Sequence, residues 1–169
     1  MSKKDNLLFV GFMGCGKTTI AKAYAKKYDK IFLDTDSLIK EKFNLEIDEI
    51  FKTYGEKKFR KEEKKLVSFL TCVQDCSIAS GGGFIEQKKI KDIGIIIYLK
   101  ASFDYLLQRL STEELATRPL LANINNAKIL FNQRAKKYEK KADIIINIEN
   151  KSIKELIKEL IKEIKKEVK

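Results

Sequence analysis

Residues 7 to 19 read LLFVGFMGCGKTT, an apolar run that breaks into a glycine-rich turn and then opens a helical pattern. Gly11, Gly16, Lys17 and Thr18 keep the spacing GxxxxGK[ST], a phosphate-binding loop that needs a strand before it and a helix after it. That requirement narrows the possible architectures. The loop's N–H groups curl around phosphate oxygens at a helix N-terminus, an arrangement found at the carboxyl edge of a parallel sheet. Lys17 adds a mobile cation, and the Thr18 hydroxyl suits Mg²⁺. Cys15 reads as a small filler within the loop, although a thiol at a helix N-terminus is more acidic than most. Such a loop holds a polyphosphate, so the open question is what receives the phosphate.

The rest of the chain supplies the expected sheet. Strand-like runs lie at 7–10, 30–33, 76–80, 94–99 and 143–148, most of them continuously apolar, as in strands covered on both faces. Helical patterns lie near 17–28, 37–54, 56–71, 102–110, 126–140 and 152–168. The alternation predicts an α/β fold of three layers, α/β/α, in one domain spanning 1–169. The last helix carries a stripe from Ile153 to Val168 with mixed Lys and Glu opposite, which suits packing on the sheet better than a cationic membrane surface.

Composition removes several alternatives. No apolar run approaches a membrane span, and MSKKDNLLFVGF passes from a few polar residues into the first strand, so a cytoplasmic protein without a cleavable signal is expected. Cys15, Cys72 and Cys76 form no CxxC pair and fit reduced thiols rather than a disulfide or zinc site. The net charge of +11 is spread along the chain, and no basic run is interleaved with aromatics, so neither nucleic acid nor a membrane is an expected partner. Histidine is absent, which excludes histidine triads and leaves a carboxylate as the general base. Of the 35 Lys and Arg residues only Arg60, Arg109, Arg118 and Arg134 are arginine. In a chain that uses lysine by default, these positions call for the planar fork that lysine lacks.

Two further motifs fall at strand ends. Asp34 and Asp36 in DTD occupy alternate positions and are expected to point the same way, one serving Mg²⁺ and the other the attacking hydroxyl. Gly81, Gly82 and Gly83 form a second glycine cluster where backbone can come close to a ligand.

Taken in order, GFMGCGKTT, DTD, FRKEE, SGGGF, RPLL and QRAKKYEKKAD resemble the shikimate kinase family, within the nucleoside monophosphate kinase-like group. The resemblance covers nearly the whole chain. It implies a five-stranded parallel sheet of order 2-3-1-4-5, ATP and Mg²⁺ as ligands, and phosphoryl transfer to the 3-hydroxyl of shikimate by a monomer. Carried over by position, it implies that Gly14, Cys15, Gly16, Lys17, Thr18 and Thr19 bind ATP, with Thr18 on the metal and Asp34 in its outer shell. Asp36 would hold the substrate hydroxyls and act as base. Arg60 and Arg134 would grip the shikimate carboxylate beside Gly81, Gly82 and Gly83, and Glu63 would orient Arg60. Arg118, in a lid over 111–124, would reach the ATP phosphates, and Arg109 would lie against adenine. The acceptor-binding region would cover 35–63. The stretch 148–151, where the family has an adenine-contacting loop, has no clear match. A kinase of the same group acting on gluconate or a nucleoside monophosphate is the nearest alternative.

Overall fold

A computed structural model describes residues 5–111, 121 and 123–167. Five strands, β1 (Leu7–Val10), β2 (Ile31–Asp34), β3 (Cys76–Ala79), β4 (Ile95–Lys100) and β5 (Ile144–Asn147), form one sheet of order β2-β3-β1-β4-β5. Every pairing is parallel, so every strand-to-strand connection is a crossover. The helices are α1 (Lys17–Tyr28), α2 (Thr35–Phe43), α3 (Ile47–Leu70), α4 (Phe103–Arg109), α5 (Ile124–Lys141) and α6 (Ile153–Glu167), and they cover both sides of the sheet; β3 and β4 are joined instead through two short 3₁₀ turns, Phe84–Glu86 and Ile90–Asp92. The closing helix α6 buries Leu156, Ile157 and Leu160. Among the described residues no helix is long and apolar enough to cross a membrane.

The core sits on the central strands. Leu8 pairs with Ile78 on one side and Ile96 on the other, and all of β1 and β3 is buried. The edges depart from the expected two-sided cover: Ile31 on β2 and Ile145 on β5, the two edge strands, are exposed.

One expected helix divides. The run 37–54 is two pieces, since Asn44 takes a left-handed conformation (φ 52°) that ends α2, and Glu46 with Glu49 forms a capping box that starts α3. At Gly55 (φ 77°, ψ 161°) α3 breaks out of helical geometry and resumes. Ile39, Ile50 and Phe59 make a small second core beneath these helices, and Lys42 on α2 pairs with Glu62 on α3 at 2.6 Å.

At the amino edge of the sheet, one side chain ties three strands together. Buried Asn6 donates from Nδ2 to the carbonyls of Val73 (2.8 Å) and Ile93 (3.0 Å), and its Oδ1 accepts from the Cys76 N–H at 2.9 Å. Asn6→Ala strands these three groups and should cost about 2–4 kcal/mol of stability, from the usual cost of unmet buried polar groups. Urea unfolding measures this. Michaelis constants should stay as in the wild type, because the phosphate loop lies at the opposite edge.

Candidate active site

At the carboxyl edge β1 runs into the phosphate loop. Gly16 caps α1 with a left-handed backbone (φ 83°), a conformation that glycine adopts without strain. Lys17 folds back over the loop, and its Nζ donates to the carbonyls of Gly11 (2.9 Å) and Phe12 (3.0 Å). Cys15 is fully buried, in keeping with a filler. Thr18 and Thr19 are exposed on the first turn of α1. A Cβ on Gly16 would come within 3.8 Å of Arg109 Nη2, whose guanidinium lies over the Tyr105 ring at 5.7 Å. Thus Gly14, Gly16, Lys17, Thr18 and Arg109 share one corner. Arg118 and most of 111–124 lie outside the described residues.

The two aspartates do not sit as alternate strand residues. Asp34 ends β2 and caps α2, its Oδ1 accepting from the N–H groups of Asp36 (3.0 Å) and Ser37 (3.2 Å). Its other oxygen, Oδ2, accepts from Thr18 Oγ1 at 2.9 Å. A single carboxylate therefore fixes the start of α2 and couples it to the phosphate loop. Asp36 falls in the first turn of α2. Burial, and then the neighbouring Asp34 charge, push its carboxyl up from 3.8 to about 6, while Lys17 and Arg60 hold it down.

The three glycines after β3 explain how Asp36 meets the arginines. A Cβ on Gly81 would collide with Asp36 Oδ1, one on Gly82 would come within 3.3 Å of Arg134 Nη1, and one on Gly83 would collide with Arg60 Nη1. Each glycine clears space for a different side chain. The Gly81 N–H is committed to Thr35 Oγ1 at 2.9 Å and its carbonyl to the Phe84 N–H at 3.1 Å. Gly81 therefore also makes room for Asp36 while it lines the same cavity as Gly82 and Gly83.

Arg60 on α3 and Arg134 on α5 converge on a cavity of about 800 Å³ that Asp36 and Gly81–Gly83 also line. Glu63, wholly buried, accepts from Arg60 Nη1 at 2.9 Å and from Gln87 Nε2 at 3.0 Å. Arg134 is 8% exposed in its side chain, and among the described residues its buried Nε has no hydrogen-bond partner. One turn along α5, Tyr138 donates its hydroxyl to the Gly82 carbonyl at 2.6 Å. Burial raises the Tyr138 pKa, so the phenol stays a donor. Tyr138, Gln87, Thr35 and Glu56 were not singled out by the sequence. For Glu56 and Tyr138 the signal was there, since each stands four residues from an arginine on a helix.

The family model for shikimate kinase matches residues 13–165. A shikimate kinase from Helicobacter hepaticus is 38% identical over 144 residues, 85% of this chain and 86% of its own. The crystal structure of shikimate kinase from Aquifex aeolicus is 30% identical with a TM-score of 0.82, covering 95% of this chain and 96% of its own. One from Acinetobacter baumannii, solved in complex with shikimate, is 29% identical with a TM-score of 0.85, covering 98% and 95%. A gluconokinase from Sinorhizobium meliloti, 12% identical with a TM-score of 0.58 over 98% of this chain and 94% of its own, shares the fold alone.

Proposed function

The chain belongs to the shikimate kinase family, and on that premise we propose how its side chains divide the transfer of the ATP γ-phosphate to the 3-hydroxyl of shikimate. The single observation that carries the assignment is the cavity that brings the Asp36 carboxylate together with two arginines, Arg60 and Arg134, over a floor of three glycines. That is the complement of an acceptor with hydroxyls at one end and a carboxylate at the other.

Asp36 orients the acceptor hydroxyl and takes its proton at Oδ as the new P–O bond forms. With its pKa near 6, it is ionised at neutral pH yet basic enough to accept. Lys17 leaves the loop carbonyls for the β- and γ-phosphates, and its charge balances the oxygens of the leaving ADP. Gly14 to Thr19 cradle the phosphates, Arg109 stacks on adenine, and Arg118, from the lid over 111–124, reaches the γ-phosphate and helps exclude water. Thr18 and Asp34 are hard oxygen donors already joined to one another, a set that fits Mg²⁺. Thr18 would hold the ion and Asp34 its water, and the ion when bound would neutralise phosphate charge. The whole of 1–169 works as one kinase domain with its acceptor region at 35–63, as a monomer in the cytoplasm, where the free thiols of Cys15, Cys72 and Cys76 stay reduced.

The assay that tests this follows ADP release with shikimate, gluconate and AMP side by side. Turnover should appear with shikimate alone; turnover with gluconate or AMP instead would reassign the acceptor. Arg60→Lys and Arg134→Lys keep the charge but lose the fork, so each should lower kcat/KM for shikimate by about 1.5–3 kcal/mol, the scale of a charge-assisted hydrogen bond. KM for ATP should stay nearly constant. An equal loss on the ATP side would move these arginines to the nucleotide.

A further inference from the structure

Every nitrogen of the Arg60 guanidinium already donates to a carboxylate of the protein. Nη1 donates to Glu63, while Nε and Nη2 both donate to Oε1 of Glu56, at 3.1 and 2.8 Å. The Nε–Nη2 edge is a planar fork through which arginine takes a carboxylate side-on. The guanidinium is packed close to the glycine floor and an aromatic ring: a Cβ on Gly83 would lie 2.8 Å from Cζ, and the Phe59 ring centroid lies 5.6 Å from it. The two glutamates differ in setting. Glu63 is wholly buried, whereas the Glu56 side chain is 67% exposed on the rim of the cavity.

We propose that Glu56 stands in for the acceptor's carboxylate on Arg60 and is displaced by it, so that Glu56 filters which anions enter the cavity. The inference rests on Arg60 being half of the acceptor's carboxylate clamp. Charge supports it. Asp36, Glu46, Asp48, Glu56 and Glu63 line the cavity against Arg60 and Arg134, so an incoming carboxylate meets more negative groups than positive ones, and withdrawal of Glu56 lessens that excess. Glu56 is placed to withdraw, because it follows Gly55, where a Cβ would meet nothing within 4 Å. That glycine serves the torsion of the chain (φ 77°) rather than close packing. Arg134 supplies the discrimination. Among the described residues its Nε has no hydrogen-bond partner, and Glu86 Oε1 lies 3.8 Å away. A carboxylate that reaches both arginines gains Arg134 as it displaces Glu56, while an anion that reaches Arg60 alone only exchanges one carboxylate contact for another.

The test is Glu56→Gln, which keeps the shape and removes the charge. KM for shikimate should fall about two- to fivefold, the range an exposed ion pair can hold back, with kcat within about twofold and KM for ATP constant. Acetate, which has the carboxylate without the ring hydroxyls, should inhibit Glu56→Gln at several-fold lower concentration than wild type. In an Arg60→Lys background the same substitution should leave KM unchanged, since the contested edge is gone. An unchanged or raised KM in a folded Glu56→Gln protein overturns the proposal and makes Glu56 a stiffener of Arg60. Should Glu56→Gln melt early, Glu56→Ala with calorimetric titration of shikimate makes the same comparison. Wild-type turnover of shikimate and its loss in Arg60→Lys are measured first. Failure there removes the clamp itself, whereas failure in Glu56→Gln alone removes only the filter.

Discussion

Lys17→Met should fold as the wild type does and lose phosphoryl transfer, with kcat down by about a thousandfold or more, at or beyond the loss from removing one preorganised donor to transition-state charge. The loss falls on chemistry because Lys17 contributes little to the core. Among the described residues its Nζ bonds only to groups of its own loop, the Gly11 and Phe12 carbonyls and the Cys15 sulfur. Losing those partly buried bonds should cost no more than about 1–2 kcal/mol of stability. A coupled assay, a thermal melt and nucleotide titration separate the possibilities. Near-normal turnover in a folded variant would remove Lys17 from the reaction, while a collapsed melt would make it structural.

Asp36→Asn should move activity and stability in opposite directions. Turnover should fall by about a hundredfold or more, the range of general-base catalysis, with ATP binding much less affected. Stability should rise. The folded carboxyl is shifted from 3.8 to about 6, so the ionised form is the one the fold disfavours. Wild type therefore bears no penalty below about pH 4, acquires it as pH climbs to about 6, and carries the whole of it above, up to about 3 kcal/mol. The variant escapes that penalty, so the two stability curves should meet in acid and separate by neutrality. The wild-type rate should show the same group, falling about tenfold per pH unit below about 6. A variant that is inactive but no more stable at pH 7 would mean that Asp36 is better solvated than its setting implies. If its affinity for ATP falls as far as turnover, Asp36 belongs to the metal site instead.

Much of this fold was legible because its signals are local. LLFV before the glycines, the apolar centre of IIIYL and the alternation of elements need only neighbours a few residues apart, and the strand order followed from the resemblance that the motifs carried. Scarcity made the cavity legible too, since arginine is rare here and two of the four meet across it. Other features depended on distant partners. Asn6 looks like an ordinary polar residue ahead of a strand until it reaches Val73, Cys76 and Ile93. The strand-end aspartates could not be told from a helix cap, because Asp34 caps α2 with one oxygen and accepts from Thr18 with the other. Gly55 looked like a boundary between helices at 54 and 56, but the true boundary lies at Asn44 and Gly55 only bends the second helix.

The glycines at 81–83 also constrain how this site can change over time. They form a floor, and the charged side chains packed on it, Asp36, Arg60 and Arg134, are carried in from α2, α3 and α5. Such a floor cannot be modified gradually. Adding one methyl at 81 presses on Asp36, at 82 on Arg134 and at 83 on Arg60, so even the smallest heritable step there shifts a charged group of the cavity. New acceptor preferences are therefore reached by exchanging the arms on the helices while the floor stays bare.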